Sequence, residues 1–539
     1  MNSVSRRQFI KQSGLALTAA AVLGCSSRQA QPGQPNILCI TCEDISPYLH
    51  CYGDGIALTP HLDQLAAEGV KFNNVFGNAG VCAPCRATLI TGLYHNSFGA
   101  NHMRVTQQYQ GLPKYEAVPP PEVKCYPEFM RAAGYFCTNN VKTDYQFKAP
   151  VTAWDENSNR AHWRHAPQGK PFFSIFNLMT THESQVWDRA NDPVVIRADQ
   201  VVVPPYYPAT YHVRRDMARV YSNIRVMDRE VGELIKEVKE AGLWDNTMVI
   251  FYSDHGGPLP RGKREIYDSG LKVPMIIRFP DKRYAGSEVD DMISFVDIPP
   301  TILSLTGIKP PDYMHGQAFW GTYKAEPRRY IYAARDRMDE QVDMRRAVRD
   351  RRFKYIKNFH PEIPCYLDIS FRKKLAGMRE LLRLRDAGSL NEEQMIWFRR
   401  TKAPEELYDI QQDPHELNNL ADDPAYADDL RRLRQECKDW MQRIDDKGFM
   451  TEKELVYSMW PGGVQPETQA PVITVADGQV RITCPTRGAS IGYQINGTGY
   501  TKEHWFLYTG SFRINPGDTI RCVAHRIGYQ PSPVIDKTV

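Results

Sequence analysis

Cys82-Ala83-Pro84-Cys85-Arg86-Ala87-Thr88-Leu89-Ile90-Thr91-Gly92 is the stretch on which the reading of this chain turns. A turn of small residues with a proline, followed by an apolar run from Ala87, predicts a loop that feeds a helix. Cys82 then lies near a helix N-terminus, where unpaired N–H groups and the helix dipole favour a tetrahedral oxyanion. Three roles are open to the thiol at this point: a nucleophile in an anion site, one half of a Cys-x-x-Cys redox pair, or a packing cysteine beside a proline turn.

Short apolar runs that stop at polar residues lie on both sides. Asn36 to Thr41 stops at Cys42-Glu43-Asp44, the pattern of a central strand that delivers carboxylates, the ligands of hard cations, at its C-terminal edge. Adjacent acids after a strand are more commonly solvated loop charges, so the pair alone assigns nothing. Pro171 to Leu178 stops at Thr180-Thr181-His182-Glu183, and Thr247 to Ser253 stops at Asp254-His255-Gly256. Thr59-Pro60 predicts a capping threonine with proline at the first helical position. Arg214 to Ala241 carries Val220, Ile224, Met227, Val231, Leu234, Ile235 and Val238 at helical spacing, which predicts a long helix with one face in the core and no chemistry.

The eleven residues from Cys82 resemble the type I sulfatase signature, Cys-x-Pro-Ser-Arg-x-x-x-x-Thr-Gly, with Cys85 where the family usually has serine. The resemblance implies that a maturing enzyme oxidises Cys82 to formylglycine. Glu43-Asp44 stands at the family's Asp-Asp pair, Tyr52-Gly53 and Thr59 to Ala66 match the segment that follows, and Asp254-His255 stands at its second metal segment. Glu43, Asp44, Cys82, Asp254 and His255 are thereby implied as ligands of one divalent cation, for which calcium suits the carboxylates. Arg86, Lys142 and Lys263 are implied to bind the sulfate and His182 to protonate the leaving group; Asp144 occupies the place of a histidine common in relatives. In the implied mechanism the aldehyde hydrate attacks sulfur, the three cations spread the charge, and the second hydroxyl then expels sulfate.

The implied fold is an alkaline-phosphatase-like α/β sandwich with a mixed central sheet, its catalytic domain over 34–330. A small C-terminal α+β subdomain over 331–455 follows, with Arg345 to Ile356 and Glu406 to Leu420 as its family segments. Within the resemblance, Pro204 to Phe279 looks most like the N-sulfoglucosamine sulfohydrolase branch. Between the family segments, Phe371 to Arg400 reads as a charged helical insertion with a solvated face. Over 470–539, short alternating strands with turns at Asp477-Gly478, Asn496-Gly497 and Pro516-Gly517 predict a small appended β-sandwich. It looks like the C-terminal module of some chitobiase-type enzymes, with Trp505 open to either sugar binding or packing against the body.

Lys and Arg total 67 against 63 for Asp and Glu, a net charge of +4 over 539 residues, so no global field recruits nucleic acid and any anion preference is local. The N-terminus reads as a targeting segment, 1–25. Ser5 to Lys11 looks like a twin-arginine export motif, Leu15 to Leu23 is apolar, and Val22-Leu23-Gly24-Cys25 resembles a lipobox with Cys25 as the acylated residue. The expectation is an exported protein of the periplasm or cell envelope, held to the membrane by a lipid anchor. Of the twelve cysteines, Cys484 and Cys522 alone invite a disulfide, because both fall in strand-like runs of one small module. The substrate implied is a sulfated oligo- or polysaccharide, heparan-type or algal, cut at an O-sulfate ester or an N-sulfamate. A phosphate or phosphonate ester hydrolase with the same ligands, and a non-catalytic glycan-binding lipoprotein, are the alternatives.

Overall fold

The computed structural model describes residues 34–105 and 109–539; the export motif and Cys25 lie outside the described residues. Eight strands form the central sheet: β1 Asn36–Cys42, β2 Val70–Phe76, β3 Phe136–Asn140, β4 Glu156–Asn157, β5 Phe172–Leu178, β6 Thr247–Ser253, β7 Lys272–Arg278 and β8 Ser287–Ser294. Their order is β4-β3-β5-β1-β6-β7-β2-β8. Only β7 runs against its neighbours, so the sheet is mixed. All seven residues of the central β1 are buried. Its period-two alternation sends Ile37 and Cys39 to one face and Leu38 and Ile40 to the other.

Helices close both faces. The helices that bear on the site are α1 Pro60–Glu68, α2 Cys82–Thr91, α3 Tyr126–Ala132, α4 Ser184–Asp188 and α5 Tyr211–Glu240. α2 covers the first face through Cys85, Ala87, Leu89 and Ile90, and ends at Gly92, whose φ of 74° lets its N–H donate to the Thr88 carbonyl at 2.9 Å. α5 covers the second face through Val220, Ile224, Met227, Val231 and Val238. The start of α1 differs from the expected cap. Thr59 Oγ1 accepts the His50 N–H and donates to Asp63, and the buried Asp228 of α5 accepts the N–H groups of His61 and Leu62 at 3.1 and 2.9 Å instead. A carboxylate from a distant helix thus fills the capping role of the threonine beside it.

After residue 330 a four-stranded antiparallel sheet, β9 Ile331–Met338, β10 Gln341–Arg349, β11 Phe353–Asn358 and β12 Glu405–Asp409, packs under the helix Ala427–Arg443. The charged insertion is not a solvated face. Its helix Ala376–Asp386 lays Met378 and Leu381 against the α5 side of the core, joined by Leu375, Trp397 and Phe398, an apolar stripe hidden among arginines and lysines.

The final segment forms two facing sheets, β13-β14-β17 and β16-β15-β18-β19, from β13 Val472–Ala476, β14 Gln479–Thr483, β15 Ser490–Ile495, β16 Phe506–Leu507, β17 Phe512–Arg513, β18 Thr519–His525 and β19 Ile535–Thr538. Their core holds Val480, Ile482, Phe512, Ile520 and Cys522. Cys484 and Cys522 do not pair: both thiols are free. Cys522 faces the core from β18, whereas Cys484 lies just past β14 in the opposite sheet and donates to the Gln469 carbonyl. A buried seam ties this module to the body, because Arg131 from α3 meets Asp155 at 2.8 Å and the Trp505 carbonyl at 2.7 Å while His504 meets the same Asp155 at 2.7 Å. Trp505 therefore contributes to packing through its backbone.

Candidate active site

Every polar run end singled out in the sequence arrives at one edge of the central sheet. β1 hands over Glu43 and Asp44, β6 hands over Asp254 and His255, β5 is followed by His182, and Lys142 comes two residues after β3. Pairing holds the two metal segments in step: β1 and β6 are parallel neighbours with Cys42 opposite Ser253. Beyond that register the Asp254 N–H reaches the Cys42 carbonyl at 3.0 Å, and the Asp44 N–H reaches Asp254 at 3.1 Å.

Cys82 opens α2 directly above this edge, and all ten residues of the helix are buried. The loop bearing Lys263 is pressed onto the approach to α2 at Gly80, where the Arg264 N–H meets the Gly80 carbonyl and a Cβ would lie 2.1 Å from the Glu265 carbonyl. Only glycine permits that approach. Cys82 Sγ lies 3.5 Å from His255 Nε2, 3.6 Å from Lys263 Nζ, 3.7 Å from Glu43 and 4.0 Å from Asp44. Arg86, one turn along, donates to Asp254 at 3.1 Å, to Asn177 of β5 at 2.7 Å and to Glu43. Lys142 completes the ring by pairing with Glu43, and Lys263 by pairing with Asp44. Asp144 turns outward, half-exposed, 3.4 Å from Lys142.

Charges decide the protonation states. Burial pushes the Glu43 and Asp44 carboxyls up, but Lys142 and Arg86 hold Glu43, and Lys263 and His255 hold Asp44, well below the usual carboxylate range. Burial and the neighbouring Glu43 win at Asp254, which is raised. Burial also opposes a thiolate at Cys82, yet Lys142 and Lys263 bring the thiol below its ordinary value, while Cys85, which donates to the Ala79 carbonyl at 2.9 Å, is pushed up by burial to about 12. The two cysteines of the Cys-x-x-Cys spacing are thus electrostatically unlike, one among cations and one in the core. His255 gives its Nδ1 to the Gly256 carbonyl at 3.0 Å, so Nε2 is the atom turned to Asp44 at 2.8 Å; Asp254 and Asp44 overcome burial and lift this imidazole to about 10.

The residues fit a hard cation. Glu43, Asp44, Cys82 and His182 bring ligand atoms within 4.8 Å of one another, and so do Asp44, Cys82, Asp254 and His255. Of these six residues three are buried carboxylates, two are imidazoles, one of them with Nε2 pre-aimed, and one is the thiol, so oxygen is the commonest ligand atom.

Three further residues support the ring without having stood out in the sequence. Glu183 gives its N–H to Asp44 at 2.6 Å, and its carboxylate takes two hydrogen bonds from Arg264 at 2.9 and 2.8 Å with Lys263 at 3.4 Å. Arg264 also meets Asp339, from the β9–β10 turn, at 2.8 Å. Glu183 and Arg264 adjoin His182 and Lys263, so adjacency was their only signal; Asp339 had none.

The Sulfatase family matches residues 35–160 and 159–308, and the family described as N-sulphoglucosamine sulphohydrolase, C-terminal, matches 261–372. The chain is similar to an ulvan-active sulfatase of Formosa agariphila, 47% identical over 543 residues that cover 94% of this chain and 91% of the relative. It is also similar to human N-sulphoglucosamine sulphohydrolase, 27% identical over 76% of this chain and 90% of the relative. A solved Bacteroides thetaiotaomicron structure, whose title concerns the metabolism of multiple glycosaminoglycans, superposes with a TM-score of 0.58 at 17% identity, covering 79% of this chain and 100% of that one. That likeness shows the fold, an alkaline-phosphatase-like sandwich.

Proposed function

From the premise that this chain belongs to the sulfatase family, we propose that it hydrolyses O-sulfate esters of an algal polysaccharide, with Cys82 converted to formylglycine by a maturing enzyme and calcium bound at the sheet edge. The observation that carries this reading is the ring of cations and carboxylates closed around Cys82 Sγ at the N-terminus of α2. Support for an algal ester comes from the 47% identity to a protein named for its activity on ulvan.

Glu43, Asp44, Asp254 and His255, with the oxygen that replaces Cys82 Sγ, would hold the cation. When bound, it neutralises sulfate oxygens and lowers the pKa of a hydroxyl beside it. The rest falls to the chain's own groups. Arg86 is locked by Asp254, Asn177 and Glu43, so its position is fixed before substrate arrives and no reorganisation accompanies the build-up of charge. Lys142 and Lys263 both act on the Cys82 position, each tied to a carboxylate, and present cationic hydrogen-bond donors to an anion there. His182 is partly exposed, and its Nδ1 lies 3.1 Å from Ser184 Oγ, which can accept the Nδ1 proton of the charged ring and leave the Nε2 proton for the departing oxygen. Burial and Lys263 work against a proton on this ring, but with Cys82 unconverted Asp44 and Cys82 prevail and raise its pKa; after conversion the Asp44 carboxylate still favours the proton that a donor requires.

An N-sulfamate is the second reading, favoured by the match of residues 261–372 to the N-sulphoglucosamine sulphohydrolase family. Sulfate release from sulfated ulvan fragments, O-sulfated glycosaminoglycans and N-sulfated glucosamine, by protein whose Cys82 aldehyde is verified by peptide mass, separates the two. Release from ulvan fragments alone is expected; release from N-sulfated glucosamine alone would replace the ester with the sulfamate, and silence across the panel from aldehyde-bearing protein would overturn both. Export and acylation at Cys25 suit an enzyme that meets polymer fragments outside the cytoplasm; labelling of the cell-associated protein with a radioactive fatty acid, lost in Cys25→Ala, is the expected result.

A further inference from the structure

Beside the opening at His182 stands a wall of rings and cations that the chemistry above does not use. Trp187, on α4 five residues after His182, packs edge-on against Phe371 of the insertion with ring centroids 5.1 Å apart. Arg104 lies over the Phe371 ring at 5.1 Å, Lys374 over the same ring at 4.8 Å, and Arg264 reaches it at 5.8 Å. The wall is continuous with the catalytic ring, because Arg264 pairs with both Glu183 and Asp339, Arg104 pairs with Asp339, and Arg372, next to Phe371, donates to the Lys263 carbonyl at 3.1 Å.

Charge on this wall is unbalanced. Arg104, Arg264 and Lys374 face two carboxylates, Glu183 and Asp339, and both of those are spent on the arginines. Lys374 is exposed and has no carboxylate within ion-pair distance among the described residues; its ammonium rests on the Phe371 and Trp187 rings, 4.8 and 5.7 Å from their centroids. Phe371 and Trp187 are both half-buried, so each keeps an accessible surface. Partly exposed rings that converge with an unpaired ammonium present the two things an acidic sugar needs, an apolar surface for its C–H groups and a cation for its anion.

We propose that Trp187, Phe371, Lys374 and Arg104 form a subsite for an acidic sugar unit bonded to the one that loses sulfate, on its leaving-group side. This rests on the sulfatase reading above, since it places the leaving oxygen at His182 and the next ring toward Trp187, five residues on in α4. Substrate is then selected by the charge of its second ring as well as by the sulfate itself. The anion recognised is a carboxylate or a second sulfate, which share the same chemistry toward an ammonium.

The test is calorimetric titration of the full-length protein with three sulfated oligosaccharides that differ only in the neighbouring ring: uronate, its carboxyl-reduced neutral form, and the neutral form carrying a second sulfate. The expected result is binding of at least one anionic form about tenfold tighter than the neutral one, the scale of a charge-assisted contact, with that advantage abolished in Lys374→Gln and reduced in Trp187→Ala. Which anionic form wins identifies the source of the charge. Equal binding of all three with the wall unaltered overturns the subsite, and so does an advantage that survives Lys374→Gln. Each titration is run in a Cys82→Ala background, which forms no aldehyde and so cannot consume the oligosaccharide; discrimination there, beside an unaltered protein that bears the aldehyde and releases no sulfate, would count against the proposed reaction and leave the subsite standing.

Discussion

Removal of the His182 side chain should harm the enzyme in proportion to how badly the leaving oxygen needs a proton. Ser184 orients the ring, its Oγ 3.1 Å from Nδ1, a ring nitrogen and Cys82 Sγ lie within 4.8 Å, and Asp44 favours the proton. A positioned acid contributes roughly 10²–10⁴ in rate, or about 2.7–5.5 kcal/mol of barrier. A sugar alkoxide leaves poorly and should lose that full range in kcat in His182→Ala, whereas a nitrophenolate leaves without protonation and should lose less than about tenfold. Matched protein preparations, with aldehyde content measured in each, would be assayed against a sugar O-sulfate and a nitrophenyl sulfate. His182 is partly exposed, so the fold should survive the change. Equal losses on the two substrates, or a loss on the sugar ester below tenfold, would refute the proton-donor role.

Glu183→Gln leaves Arg264 and Lys263 short of a carboxylate in a buried place, and a stability loss of about 3–5 kcal/mol is expected in denaturant melts; a change under 1 kcal/mol would show that Asp339 alone satisfies Arg264. Dialysis against a chelator should abolish sulfate release and added calcium restore it, with Asp254→Asn lowering calcium affinity in titration calorimetry; full turnover after chelation would exclude the cation. Buried His95 and His102 and half-buried His315 are held down to about 3, about 4 and about 4 by desolvation, with Arg346, Arg337 and Arg328 also opposing the proton. Their folded pKa values lie below the unfolded 6.5, so the unfolded chain binds more protons between about 4 and 6.5 and stability should rise with pH across that window; a melting temperature flat from pH 4.5 to 6.5 would contradict it.

The parts of the site that were legible in the sequence are those written into strand ends. An apolar run that stops at Glu43-Asp44, His182 or Asp254-His255 encodes both a buried strand and the edge where its next side chains emerge, because a parallel strand covered on both faces has no other place for polar groups. The signature from Cys82 to Gly92 was legible for the same local reason, a turn and a helix contiguous in sequence. What escaped depends on residues far apart in the chain. Asp228 caps α1 from a helix more than 150 positions away, and no local pattern distinguishes it from any other helical aspartate. Asp339 was invisible because its importance lies in Arg264 and Arg104, which the turn at β9–β10 brings to it. The apolar stripe of Ala376–Asp386 was masked by the arginines around it, and the expected pairing of Cys484 with Cys522 failed because membership of one module does not fix which sheet each strand joins: Cys522 faces the core from β18, while Cys484 lies past β14 of the other sheet and bonds the Gln469 carbonyl.

The fit at Gly80 carries a consequence for the order of events in biosynthesis. With Arg264 hydrogen-bonded to the Gly80 carbonyl and Cys82 only 1% exposed, a maturing enzyme could not grip the chain around Cys82 once that loop has closed. Gly80 and Arg264 are 184 positions apart in sequence, so the contact waits on a chain segment made and folded much later than α2. On the proposed maturation, conversion of Cys82 and closure of the fold would therefore be rivals in time. The fraction of active molecules would be set by that race, and a variant that folds faster would be expected to carry more unconverted thiol, a stable protein with a silent site.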